Sequence, residues 1–188
     1  PHLEKEVIDQ YAGKIEKPDT IDENKAEAIE ILKQKISLID LSEAAKRLGA
    51  QFTNNKLTIK IFGKDFSFDT KGKISSEIHI NAYMAVPVLN YILNGSVKST
   101  NGNWITFREL NGGPSLYAHF QQCCEKPLTR VADNYTDLFK DMLEIFDGNQ
   151  IVSHIDSDVE IVLDPLTLFP IMVCYWKADD GVDSILNI

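Results

Sequence analysis

The sequence predicts an α+β fold, an antiparallel β-meander packed with helices in a single compact domain spanning residues 1–188. Three observations lead there. Residues 1–50 repeat their apolar positions every three or four, the period of a helix with one buried face. The stretch that follows alternates apolar and polar residues, the period of a half-buried strand. The later chain mixes helical blocks with paired strands, in the order α-α-α-β-β-β-α-β-α-α-β-β, without the regular strand–helix alternation of a parallel sheet. Residues 1–50 form a helical N-terminal part, and residues 51–188 form the core.

Each element has its own local reason. "EKEVIDQYAGKIEK" places Val7, Ile8, Tyr11, Ala12 and Ile15 on one face, and Pro18 ends it. "TIDENKAEAIEILKQKIS" restarts a helix with Thr20 or Asp22 as cap and Ala26, Ile29, Leu32 and Ile36 inward. "DLSEAAKRLGA" is a short helix with Ser42 as cap and Gly49 as stop. Leu57, Ile59, Ile61, Phe66 and Phe68 then alternate inward, with turns at Asn54-Asn55, Gly63-Lys64 and Lys71-Gly72. Helical spacing returns from Pro87 through Leu93 and stops at Asn94-Gly95.

"NGNWITFRELNGG" reads as a short strand or extended segment. Two helices follow, one starting at Pro114-Ser115 and one with Pro127 at its first position, the second ending at Asp147-Gly148. "DSDVEIVLDPLTLFPIMVCYW" gives two strands joined by a turn at Asp164-Pro165, and a polar loop leads to a short terminal apolar segment.

The bulk properties exclude several classes. A net charge of −9 offers no basic face for phosphate backbones, so nucleic acid is not the expected partner. No apolar run approaches the roughly 18 residues of a membrane span, and "LTLFPIMVCYW" reads as a buried strand. No signal peptide is visible, the chain begins Pro1-His2 as a trimmed or processed chain would, and Cys123, Cys124 and Cys174 form no C-x-x-C pair. A cytoplasmic protein without an evident cofactor or metal is the expectation. Cys123 and Cys124, about 100° apart on a helix, read as one buried thiol beside one marginal thiol. His2, His79, His119 and His154 are widely spaced and read as incidental. The nucleotide, zinc-protease and serine-hydrolase motifs are all missing.

Three clusters could carry chemistry. In "WITFREL", a strand would put Glu109 on the face that Ile105 and Phe107 mark as buried, with Arg108 on the other. A buried carboxylate must be paired or neutralised, so Arg108 and Glu109 form either an internal clamp or the floor of a pocket. Gly112-Gly113 then opens a helix, where free N–H groups suit an anion and glycines admit a ligand; the alternative is a plain turn. Lastly, Trp176 runs into Asp179, Asp180 and Asp183, which could hold a cation or act as bases, or form a solvated turn at Asp180-Gly181.

Taken together, "PVLNYILNG", "NWITFRELNGGPSLYAHF" and "DPLTLFPIMVCYWKADDGVDSILNI" resemble the family known as domain of unknown function 3786, found in anaerobic bacteria and archaea. The resemblance runs from about Ala44 onward, making residues 51–188 a family-like core, and the FREL–GG segment at Phe107 to Gly113 is its most specific part. "WKADDGVDSI" departs from the family's acidic-aromatic-proline run, and beyond Ile188 the family pattern continues briefly. The resemblance implies no activity. It does imply an association with iron–sulfur proteins, which this chain would meet in trans.

The expectation is a non-catalytic domain that binds a small anionic ligand or a partner in an anaerobic cofactor or redox system. Arg108, Glu109, Gly112, Gly113, Trp176, Asp179 and Asp180 would converge on its cleft. Two alternatives stand beside it. One is a hydrolase or transferase with Glu109 or Asp179 as general base. The other is a homo-oligomeric interaction subunit, dimerising through a meander edge at Lys56 to Phe68.

Overall fold

A computed structural model describes residues 9–11, 23–96, 102–151 and 155–188. Among them are six α-helices and two four-stranded antiparallel sheets, the α+β class that the sequence predicts. The chain divides into two compact units. A meander unit holds residues 18–99 and 165–169, and a hairpin unit holds residues 1–17, 100–164 and 170–188.

In the meander unit, α1 (Glu23–Ser37) and α2 (Leu41–Leu48) precede β1 (Gln51–Thr53), β2 (Lys56–Ile61), β3 (Lys64–Asp69) and β4 (Ile74–Ser76), and α3 (Ala82–Asn94) closes the run. The strands pair in sequence order, so β1 and β4 are the edges. The expected dimerising edge at Lys56 to Phe68 lies on β2 and β3, the two inner strands, where Lys56–Thr58 also pair with β1 and Phe66–Phe68 with β4. Alternation does what the pattern requires: Leu57, Ile59, Ile61, Phe66 and Phe68 are all buried, against Ile36, Leu48, Leu89 and Ile92. Opposite them, cross-strand pairs such as Lys60–Asp65 and Thr58–Ser67 form the polar face.

Several boundaries move for identifiable reasons. Asp40, not Ser42, caps α2, its carboxylate accepting from the N–H groups of Ser42 and Glu43. Gly49 stops that helix in the left-handed conformation, as expected. Ala26 is exposed, while Leu32 and Ile36 turn inward. The second hairpin turn centres on Phe62-Gly63, both at positive φ, one residue earlier than the expected Gly63-Lys64. Helix α3 begins at Ala82, because the Asn81 side chain accepts from Met84 N–H, so Pro87 lies inside the helix rather than at its start. Arg47 of α2 donates to the carbonyls of Ile92 and Gly95 and so caps the C-terminal end of α3. The expected cap at Thr20 or Asp22, and most of the first expected helix, lie outside the described residues.

In the hairpin unit, "WITFREL" forms no strand. Residues 103–106 are irregular and Phe107–Glu109 make one 3₁₀ turn, leaving Ile105, Arg108 and Glu109 exposed. Next comes α4 (Gly113–Phe120), continuing through a π-helical turn (Gln121–Glu125) into α5 (Lys126–Asn134). Pro127 does not begin a new helix. It lacks an N–H and its ring crowds the carbonyl four residues back, and the chain accommodates this by widening the helix for one turn, with Lys126 N–H bonded to the Gln121 carbonyl. The break falls instead at Tyr135–Asp137, before α6 (Leu138–Phe146), whose Asp147 adopts the left-handed terminating conformation.

The second sheet runs β5 (Asn149–Gln150), β6 (Val159–Leu166), β7 (Phe169–Trp176) and β8 (Ile185–Asn187). The β6–β7 turn sits at Thr167-Leu168, with Pro165 inside β6, three residues beyond the expected corner. Its tip belongs to the meander unit, where Phe62 N–H bonds the Pro165 carbonyl and Tyr91 Oη bonds that of Thr167.

Candidate functional site

The corner from Thr106 to Gly113 holds itself in place. Glu109 reaches back to accept from Thr106 N–H at 2.7 Å and Thr106 Oγ1 at 3.0 Å, half of a capping box. Those bonds stabilise its charged form and hold the carboxyl below its ordinary range. Gly113 N–H bonds the Leu110 carbonyl at 2.8 Å, and a Cβ on Gly113 would collide with the carbonyl of Phe107. Gly112, at φ +81, makes the left-handed turn that lets the helix start. The Phe107 and Phe120 rings stack with centroids 4.0 Å apart, fastening the 3₁₀ turn to the end of α4.

Arg108 does not pair with Glu109. Its guanidinium lies 3.9 Å above the ring of Tyr117, a cation–π contact. Tyr117 Oη in turn accepts from Gln121 Nε2 at 3.0 Å and donates to Glu125 Oε2 at 3.4 Å. Glu109 is not buried; the buried carboxylates among the described residues are Glu125 and Glu160, and Glu125, 4% exposed, accepts from Ile188 N–H at 3.3 Å through its other oxygen. One signal for it was available: a glutamate beside helical Cys123 and Cys124, eight residues after a tyrosine.

The acidic segment also resolves into structure. Asp179 and Val182 exchange two backbone hydrogen bonds, and Asp180 and Gly181 both take positive φ, so "DDGV" is a tight hairpin turn. Trp176 Nε1 donates to the Asp156 carbonyl at 3.0 Å. Asp179, Asp180 and Asp183 are exposed.

A concavity of about 540 Å³ lies instead between α5, α6 and the β6–β7 hairpin, with Asp133, Thr136, Phe139, Val159, Tyr175 and Lys177 in its wall. None of the seven residues selected from the sequence lines it. Val173, Cys174 and Tyr175 are all buried on β7, and a buried phenol needs a partner; Tyr175 Oη donates to Asp133 Oδ1 at 2.7 Å. Burial first, then this bond and the Asp133 charge, push the phenol up to about 12. The Phe139 ring leans on that of Tyr175 at 5.3 Å. Sequence reasoning passed over Asp133 and Tyr175 because they are distant in the chain and meet only when α5 packs on β7. A second concavity, of about 430 Å³, lies on the polar face of the meander, where Thr58 and Ser67 hydroxyls are 3.1 Å apart.

Cys123 and Cys124 are both exposed, where one was expected to be buried, and Cys174 is buried on β7. His119, read from the sequence as incidental, lies beside Cys123. Among the described residues no group of three or more histidine, cysteine or acidic side chains is placed to hold a metal ion. No helix among them is long and apolar enough to cross a membrane.

These features define an α+β protein with two antiparallel sheets and a partly apolar groove in its hairpin unit. The chain belongs to the family described as domain of unknown function 3786, whose model matches residues 40–188. The match opens at Asp40, slightly before the resemblance read from the sequence. No curated protein and no solved structure matches the chain.

Proposed function

We propose that this protein is a non-catalytic binding domain whose ligand is a small organic molecule held in the hairpin-unit groove. The observation that carries the reading is the Tyr175–Asp133 hydrogen bond of 2.7 Å on the wall of a concavity of about 540 Å³. A groove of that size with apolar walls and a few convergent polar groups is the usual form of a small-molecule site. Val159 and Phe139 would take the ligand's apolar body. Lys177 is the groove's cation and would meet an anionic head, with Asp133 and Thr136 taking hydrogen bonds beside it.

Arg108, Glu109, Gly112 and Gly113 then serve as the clamp that shapes the start of α4. The iron–sulfur partner in trans and the anaerobic setting that the resemblance implied, and the cytoplasmic location expected from the sparse cysteines, belong to the same proposal. Native mass spectrometry of anaerobically prepared protein tests them by what co-purifies.

Ligand-observed NMR with a panel of small carboxylates and phosphates tests the groove. Binding that is lost in Lys177→Ala and altered in Tyr175→Phe is expected. Binding unchanged in both variants would overturn the assignment.

A second reading, a homo-oligomeric interaction subunit, has its own observation. Trp104, Ile105, Leu110 and Leu116 are 45% to 56% exposed within one short stretch. A second copy covering them would give a concentration-dependent dimer, and light scattering would show a monomer at all concentrations if this reading is wrong.

A further inference from the structure

His119 and Cys123 sit four residues apart where α4 passes into the π-helical turn, and both are exposed. Cys123 Sγ lies 3.7 Å from His119 Nδ1 and also 3.7 Å from Nε2. A thiol–imidazole hydrogen bond would single out one nitrogen, and this placement does not. The separation has another meaning. A tetrahedral ion with metal–sulfur bonds near 2.3 Å and metal–nitrogen bonds near 2.0–2.1 Å holds its sulfur and nitrogen ligands about 3.6 Å apart. The two side chains already stand at chelating distance.

Helical spacing brings them together, and the backbone beneath them is unusual. Pro127 crowds the carbonyl of Cys123, four residues earlier, and the helix widens over Gln121–Glu125 in response. Such π-helical turns are retained at functional sites more often than elsewhere. Here the turn carries two adjacent cysteines on an open surface, while the third cysteine is 4% exposed on β7 and out of reach.

We propose that Cys123 Sγ and one imidazole nitrogen of His119 form a two-ligand surface site for a thiophilic divalent cation of the zinc class. The remaining coordination positions stay open to water or to a small anionic ligand. On binding, the Cys123 S–H bond breaks, its proton passes to solvent, and the thiolate bonds the metal, so affinity falls as pH is lowered. The site is independent of the groove.

The test is a cobalt(II) titration of the reduced, untagged full chain, followed by displacement with zinc(II). A thiolate-to-cobalt charge-transfer band saturating at one ion per chain, and bleached by zinc, is expected. His119→Ala and Cys123→Ser should each weaken binding at least about tenfold, because each removes the second step of a chelate. Cys124→Ser should leave the band unchanged, and circular dichroism confirms that the variants fold. The proposal is overturned if no thiolate band forms, if His119→Ala binds like the parent, or if the band follows Cys124 instead of Cys123.

Discussion

The carbonyl oxygen of Phe107 occupies the space that a Cβ on Gly113 would need. That contact, more than the Arg108 and Glu109 charges, explains why a glycine stands at the start of α4. It also separates the roles of two neighbouring glycines, since Gly112 has open space around it but a φ of +81.

Gly113→Ala should therefore cost more stability than Gly112→Ala. The first forces backbone to move, on the order of 3 kcal/mol. The second strains only its own dihedrals, about 1 kcal/mol. Gly112→Asn should fall below both, because asparagine tolerates the left-handed region. Urea denaturation of the three variants orders them, and equal losses would mean that the close approach is relieved elsewhere.

Glu109 carries a pH dependence. Its carboxyl is held below the ordinary value by Thr106, so its contribution is present above that value and is lost as pH falls through the depressed one. Glu109→Gln should be less stable than the parent near neutral pH and should converge with it in acid. Parallel stability curves across the acid range would show that the cap contributes nothing.

Tyr175 predicts the opposite end of the scale. Its phenol is raised from 10.0 to about 12, so the stability it contributes is complete below pH ~10 and is lost as pH rises toward ~12. Ultraviolet titration should show several late-ionising tyrosines, since Tyr11 and Tyr91 are raised as well, and one of them should move earlier in Asp133→Asn, where the charge opposing ionisation is gone. Tyr175→Phe should cost about 1 kcal/mol, the worth of one buried hydrogen bond. If none of them moves in Asp133→Asn, the pairing with Asp133 is not what raises Tyr175.

The thiols should divide by position. Cys123 and Cys124 are exposed and Cys174 is buried, so a thiol reagent should modify the first two on the native protein and the third only after unfolding. Mass-mapped labelling with and without denaturant checks this. Native-state labelling at Cys174 would show that the β7 side of the sheet opens readily.

The first sheet was legible because its signal is local. Alternation at Leu57, Ile59, Ile61, Phe66 and Phe68 assigns each side chain a face, and one buried face sets the register. Gly49 and Asp147 were legible as helix stops, since a left-handed residue ends a helix through its own backbone. "WITFREL" was misread because a strand and a 3₁₀ turn leave the same short pattern, and only the Phe107–Phe120 stack and the Glu109 cap decide between them.

By itself, the sequence determined the α+β class, the buried face of the meander, several helix ends and the family, whose model matches residues 40–188. The tertiary structure decided which charges are buried, Glu125 and Glu160 rather than Glu109, and that Pro127 widens a continuous helix instead of starting one. It alone brought Asp133 to Tyr175. The division has one cause. Periodicity and backbone preference act within a few residues, whereas the burial of a polar group depends on which distant surface comes to cover it.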